Sequence, residues 1–332
     1  MQQNELFKWK GFNLLDMIST TSTGDFSEDD FKWIAELGFN FVRIPLCYKL
    51  WLNNGDVYDV NEEVLKKVDR AVELGDKYNL HINLNFHKAP GYSVNPAVIE
   101  PWSLWDSEEA VKAFCFHWGL MAQRYKGISS KRLSFNPLNE PPEAGERMPL
   151  DAHTRAITEF VKTVRGIDSE RLMIVDGVRW GTQSCPELAE LNVIQSCRAY
   201  YPFELTHYQA DWVGADINVP PTWPMSSDVG GFRYGLWDKD RLYSFYAEWG
   251  DMIKQGVGVH CGEGGCTNRT PHKIMMAWFT DVMEVLNSLK IGFALWHFRG
   301  IIGVLDSERD DVDYEDFHGH KLDRKLLDLL MK

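Results

Sequence analysis

No stretch of this 332-residue chain is apolar for long enough to cross a bilayer. The opening residues, Met-Gln-Gln-Asn-Glu-Leu-Phe-Lys-Trp, show no basic start followed by an apolar segment. A membrane partner is therefore not expected, and the expected location is the cytoplasm, or outside the cell if a leader has been trimmed away. Positive charge is also short: 35 Lys and Arg stand against 48 Asp and Glu, a net charge of −13. Nucleic acid, whose phosphates need Lys and Arg, is not an expected partner. The six cysteines, Cys47, Cys115, Cys185, Cys197, Cys261 and Cys266, form no dense framework and no CxxC pair. Reduced thiols in apolar runs are expected rather than a disulfide scaffold or a zinc ribbon. There is no repeat at solenoid spacing, no low-complexity tract and no linker, so residues 1–332 read as one domain.

What the chain does have is a large apolar content, 44%, and a heavy aromatic load of 13 Trp and 12 Tyr. Sugars present apolar C–H faces that stack on such rings, but core packing uses them too. Strand-like and helix-like runs alternate about eight times. Strands are predicted at Gly11–Leu15, Phe39–Ile44, Leu80–Phe86, Arg132–Leu138, Leu172–Val175, Val193–Ala199, Gly256–Cys261 and Ile291–Trp296. These runs alternate poorly between apolar and polar, as parallel strands buried on both faces do. Between them lie faces of helical period, among them Leu65, Val68 and Val72, then Ile157, Phe160, Val161 and Val164. Ser27 and Ser107 stand where helix N-caps belong. The pattern predicts the α/β class: a (β/α)₈ TIM barrel in a single domain, with long loops after strands six (201–235) and eight (297–320).

Two glutamates carry the chemistry. Glu140 closes Leu-Ser-Phe-Asn-Pro-Leu-Asn-Glu and is followed by Pro141-Pro142, while Glu263 follows Gly-Val-Gly-Val-His-Cys and precedes Gly264-Gly265. A carboxylate at the C-terminal end of a strand is cheap in an open mouth and costly in a core. Glycoside cleavage needs such a pair, one to protonate the leaving oxygen and one to act as nucleophile or to activate water. Arg43, His87 and Trp296 stand at the predicted C-terminal ends of strands two, three and eight, so the same mouth is expected to hold them.

These motifs make the chain resemble glycoside hydrolase family 5, the cellulase family of retaining (β/α)₈ enzymes. The resemblance rests on Lys10-Gly-Phe-Asn13, Arg43-Ile-Pro45, Leu138-Asn139-Glu140-Pro141, Gly262-Glu263-Gly264 and Trp296, and spans essentially the whole length. His87-Lys-Ala-Pro-Gly91 is similar to a segment of the family's exo-acting β-glucanases, whereas 201–213 is similar to the strand-six loop of its endo-β-glucanases. The resemblance implies Glu140 as acid/base and Glu263 as nucleophile. It implies Asn139 on the sugar 2-hydroxyl, Arg43 beside Glu263, and His87 and Trp296 framing the attacked sugar, with Asn13 among the supporting residues. One position departs from the family. A His-x-Tyr is usual after strand six, and here the residues are Arg198-Ala199-Tyr200. Tyr200 is the expected hydrogen-bond partner of the nucleophile. Arg198 either binds a sugar or leaves the missing imidazole to His207, and a permanent cation is not a neutral imidazole.

The expected function is a retaining β-glycoside hydrolase acting on β-glucan, β-1,4-linked and endo-cleaved, with a carbohydrate substrate and no cofactor. An exo-acting β-glucosidase or β-mannosidase keeps the mechanism and changes the cleavage mode, and a carbohydrate-binding barrel without turnover is the rival from another class. Trp180, Trp212, Trp223 and Trp237 read as sugar platforms or as core with equal weight. No catalytic metal is expected. His318-Gly-His320 and His260, Cys261 and Cys266 lack ligand spacing, and the acidic run 306–316 lacks the spacing and the glycine of an EF-hand loop and reads as solvated.

Overall fold

The computed structural model describes residues 2–213, 219–228 and 233–332. Eight parallel strands, β1 Lys10–Asn13, β2 Phe41–Cys47, β3 His81–Ala89, β4 Leu133–Asn136, β5 Leu172–Asp176, β6 Ile194–Ala199, β7 Val259–Gly264 and β8 Gly292–Leu295, follow one another along the chain. The main helices between and after them are α1 Glu28–Glu36, α2 Glu62–Lys77, α3 Glu108–Arg124, α4 Leu150–Ile167, α5 Lys239–Lys254, α6 His272–Ser288 and α7 Arg324–Met331. The architecture is the (β/α)₈ barrel. Between β5 and β6 the helical layer is reduced to a short turn, Val178–Gly181, and a 3₁₀ helix, Pro186–Leu191.

Residues cluster into two compact units, 14–197 and 1–13 with 198–332. Within the first, β2 pairs with β3 from Phe41↔His81 to Leu46↔Phe86, β3 with β4 from Ile82↔Leu133 to Asn85↔Asn136, and β4 with β5 at Ser134↔Leu172. β5 then pairs with β6 from Ile174↔Ile194 to Asp176↔Ser196. Within the second, β1 pairs with β8 from Lys10↔Phe293 to Phe12↔Leu295, and β7 with β8 at His260↔Gly292. Every residue of β2 and of β7 is buried, which is why these runs lack the alternation of a half-solvated strand.

Several strands run further than the sequence predicts. β2 continues through Pro45 to Cys47 because its backbone is held from a neighbouring segment, the Leu14 amide donating to Arg43 O and the Cys47 amide to Met17 O. Proline removes one donor, and the register with β3 runs on through it, from Ile44↔Leu84 to Leu46↔Phe86. Arg43 is therefore in mid-strand. β3 extends through His87 to Ala89. In the seventh strand, Gly256, at φ +89°, belongs to the turn that ends α5, so the strand starts at Val259 and runs through Glu263 to Gly264. Ser107 caps α3 by accepting the Ala110 amide, but Ser27 precedes α1 without a capping bond, and Asn61 caps α2 unforeseen.

The long connections carry structure of their own. The one after β6 includes the turn Phe203–Thr206, the 3₁₀ turn Asp211–Val213 and the ribbon Met225–Ser227 with Gly235–Trp237; residues 214–218 and 229–232 of it lie outside the described residues. The one after β8 forms the hairpin Glu315–Phe317 with His320–Leu322. Its acidic residues at 308, 310, 311, 313, 315 and 316 are exposed, while Asp306 bonds His320 (2.7 Å) and Asp311 accepts the His272 amide (2.6 Å). Among the described residues no helix is long and apolar enough to cross a membrane, and none of the six cysteines is in a disulfide.

Candidate active site

Glu140 is presented by three residues that leave β4, Pro137-Leu138-Asn139. Trp118 of α3 donates its indole N–H to Pro137 O at 3.2 Å, and Leu138 and Asn139 are buried. Asp176, the last residue of β5 and fully buried, organises the rest. Its Oδ2 accepts the Glu140 amide at 3.0 Å and its Oδ1 accepts the Asn136 side-chain amide at 3.1 Å. Arg43 Nη2 lies 3.8 Å from Asp176 Oδ2 and donates to Asn139 Oδ1 at 2.8 Å, while Arg43 Nε donates to Asn136 Oδ1 at 3.0 Å. The Tyr92 hydroxyl donates to Glu140 O at 2.7 Å, and burial, then the charges of Glu140 and Asp176, push that phenol up. Glu140 itself is half-buried and has φ +48°, a left-handed conformation that costs on the order of 1 kcal/mol for a non-glycine residue. Its backbone is thus held by both its amide and its carbonyl. His87, half-buried, stands near the end of β3.

The segment after β5 meets the two prolines. The Trp180 amide donates to Pro141 O at 2.9 Å and the Arg179 amide to Pro142 O at 3.0 Å, with Arg179 and Trp180 both left-handed at φ +53° and +56°. That geometry leaves Trp180 half-buried.

Glu263 has a different setting. It is 3% exposed, inside a regular strand. Arg198 Nη2, fully buried at the end of β6, lies 3.2 Å from Glu263 Oε1, and the Tyr200 hydroxyl donates to Oε2 at 3.3 Å. Arg198 is held in turn, its carbonyl accepting the Tyr246 hydroxyl of α5 at 2.9 Å. Asn13 donates its side-chain amide to Gly262 O and Leu295 O, both at 3.1 Å, so it braces β7 against β8 beside β1. Gly264 admits no side chain, since a Cβ there would meet Ala199 Cβ and Phe293 Cε2 at 2.7 Å. Trp296, half-buried, follows β8 with its amide on Gly264 O at 3.0 Å and its ring stacked on His297 at 5.8 Å.

His207 packs around this group without an imidazole role toward Glu263 in its described contacts. Its ring stacks on Phe203 at 3.9 Å, meets Tyr200 edge-on at 5.3 Å, and bonds Thr206 Oγ1 through Nδ1 at 2.9 Å. Burial, helped by the Arg233 charge, pushes it down to about 3, so it is neutral. Among the tryptophans, Trp212 is 57% exposed, whereas Trp237 is fully buried on Tyr201 and belongs to the core. Trp223 donates its indole N–H to Asp281 at 2.8 Å.

Sequence reasoning missed Asp176, Asn136 and Tyr92. The signal for Asp176 was present: Leu-Met-Ile-Val-Asp176 is an apolar run ending in a carboxylate, the same pattern that picked out Glu140. Asn136, a polar residue inside the run predicted as strand four, was a weaker sign, and nothing local marks Tyr92.

Comparison with known proteins bears on the family and the fold. The family model for cellulase, glycosyl hydrolase family 5, matches residues 2–300. Endoglucanase C of Acetivibrio thermocellus is 25% identical over 312 residues, covering 87% of this chain and 89% of that protein. Cellodextrinase A of Ruminococcus flavefaciens is 25% identical over 273 residues, covering 78% and 74%. A crystal structure of a glycoside hydrolase is 38% identical, with a TM-score of 0.91 over 97% of this chain and 98% of the other. The endoglucanase Cel5A of Thermotoga maritima shares the fold, with a TM-score of 0.78 at 23% identity over 99% and 100%. The chain belongs to glycoside hydrolase family 5, and it is an enzyme that hydrolyses glycosidic bonds.

Proposed function

We propose that this protein is a retaining endo-β-1,4-glucanase formed as one catalytic domain, with Glu140 as acid/base and Glu263 as nucleophile. The observation that carries the reading is the pairing of Glu263 with Arg198 and Tyr200: a buried carboxylate with a permanent cation on one oxygen and a hydroxyl donor on the other has a fixed aim. In the first step a Glu263 oxygen attacks the anomeric carbon as the bond to the leaving oxygen breaks, and Glu140 delivers its proton to that oxygen. In the second, water attacks the glycosyl ester, Glu140 takes the water's proton, and the Glu263 carboxylate is released with the β configuration restored.

Arg198 bears on both steps. It tempers the nucleophile, and once the ester has formed it is left beside a neutral group. The charge it then lacks favours return of the carboxylate, so Arg198 promotes the second step. Asn139, held by Arg43, is the partner for the sugar 2-hydroxyl, while His87 and Trp296 frame the attacked sugar, and Trp180 and Trp212 offer faces for neighbouring units. Endo cleavage of β-glucan is supported by the endoglucanase relatives; the cellodextrinase relative supports action on short chains, which suits a second, exo-acting reading.

A hydrolysis panel tests this: carboxymethyl-cellulose, mixed-linkage β-glucan, laminarin, mannan, and aryl β-glucoside and β-mannoside, with Glu263→Ala as the blank. Rapid loss of viscosity with the β-1,4-linked glucans and a β-configured first product by proton NMR are expected. Monosaccharide release from small glycosides alone would replace the endo reading with the exo one. Full activity of Glu263→Ala would end the mechanism.

A further inference from the structure

On the other side of the Glu140 unit, α4 begins at Leu150 and carries His153 in its first turn. His153 is fully buried, and neither ring nitrogen has a hydrogen-bond partner among the described residues. An imidazole without partners in a dry site loses its hydration with nothing in exchange, so such a ring calls for a ligand. Two further donors face it from the segment after β5: the buried thiol of Cys185 and the exposed carboxylate of Glu187. One donor atom from each of the three residues lies within 4.8 Å of the other two. No other group of three or more His, Cys, Asp or Glu side chains among the described residues meets that geometry.

The frame around the three is rigid where metal binding needs it to be. Gln195 of β6 grips the Cys185 backbone from both sides, its Oε1 accepting the amide at 2.9 Å and its Nε2 donating to the carbonyl at 2.7 Å. Trp105 covers the His153 ring at 6.1 Å. Glu187 is exposed in the first turn of the 3₁₀ helix. Donor atoms around a tetrahedral zinc sit roughly 3.3–3.8 Å apart, so closing from 4.8 Å asks for about 1 Å of side-chain movement.

We infer that His153, Cys185 and Glu187 form a site for a borderline divalent cation of the zinc class, with water as fourth ligand. One nitrogen, one sulfur and one oxygen donor suit zinc and cobalt(II) and do not suit calcium or magnesium, which take oxygen alone. The site shares no residue with the pair proposed for hydrolysis and supplies none of that chemistry. It ties the start of α4 to the segment after β5, the segment whose Trp180 turn meets Pro141, so the bound ion acts as a brace on that loop.

The test uses the full chain without a polyhistidine tag, stripped with chelator and titrated with cobalt(II). One equivalent should bind, with a thiolate-to-cobalt charge-transfer band in the near ultraviolet, and zinc should displace it and raise Tm. Cys185→Ser should abolish the band, and Glu187→Gln should weaken zinc binding by roughly tenfold or more. Absence of stoichiometric binding, or a band that persists in Cys185→Ser, overturns the assignment. If Cys185→Ser does not fold, Glu187→Gln decides alone, because that exposed residue can change without disturbing the core; unchanged zinc affinity there overturns it as well.

Discussion

Glu140 and Glu263 are the same residue type in two opposite kinds of setting. Glu140 is half-buried and held through its backbone: its amide sits on Asp176, its carbonyl takes the Tyr92 hydroxyl, and its φ of +48° turns the chain sharply. Glu263 is almost wholly buried in an ordinary strand and held through its carboxylate, by Arg198 and Tyr200. A group that must give and take a proton is best fixed by its main chain, which leaves the carboxyl to titrate. A group that must stay an anion is best fixed by donors on its oxygens. The two settings therefore match the two roles proposed for them.

The sharpest way to break this comparison is to remove each carboxylate and vary the leaving group. Glu140→Ala should lose about 10²–10⁴-fold in kcat on cellooligosaccharides. It should lose far less in the first step on a dinitrophenyl glycoside, whose leaving group needs no proton. Glu263→Ala should fail on both, as stopped-flow release of the dinitrophenolate will show. Equal losses on both substrates would mean that the two roles are not divided in this way.

Asp176→Asn tests the backbone half. Both Asp176 oxygens accept from N–H donors, Asn136 and the Glu140 amide, so an Asn must turn a donor against a donor whichever way it faces. With Arg43 also losing its buried anion, urea unfolding should show a loss on the order of 3 kcal/mol, together with reduced kcat. Arg198→Met tests the side-chain half. A hydrogen bond to a charged group is worth about 1.5–3 kcal/mol, so kcat should fall ~10–100-fold, and glycosyl-enzyme should accumulate in a rapid-quench experiment. No change in kcat would reduce Arg198 to a structural cation.

Acid sensitivity is expected in both units. Burial holds His117 at about 4, His297 at about 4 and His207 at about 3, against an unfolded value near 6.5. Above pH ~6.5 neither state binds these protons and stability is full. Below it the unfolded chain binds them first, so stability falls by about 1.4 kcal/mol per pH unit for each group until the folded value is reached. Calorimetry between pH 7 and 4.5 should show a falling Tm; a flat profile would contradict buried neutral imidazoles. The smallest effect belongs to Trp212→Ala. This ring is 57% exposed, so KM for polymer should rise by a factor of about 5–10, as loss of a stacking contact worth about 1 kcal/mol implies, with Tm unchanged.

The barrel was legible because strand-like apolar runs and helical periods alternate along the whole chain, and because parallel strands buried on both faces leave uninterrupted runs. Strand ends were less legible. Pro45 reads as a terminator but lies inside β2, and Gly256 reads as the start of β7 but is the turn that ends α5. Glu140 and Glu263 were found from strand-breaking neighbours. Arg198 was noticed only as a departure from the family, since a contact 65 positions along the chain has no local signature. Trp237 could not be told from a sugar platform because core and binding site draw on the same aromatic residues.

The anchorage of Glu140 bears on redesign. Pro141 and Pro142 are pinned by the Trp180 and Arg179 amides, and Met148 is a buried plug whose carbonyl takes the Gly145 amide. Between these fixed points only residues 143–147 are exposed. Because Glu140 is positioned through Asp176 and Tyr92 rather than through that segment, the five residues form a natural grafting cassette. New sequences can be spliced in there to alter which chains the enzyme grips, without moving the group proposed to protonate them.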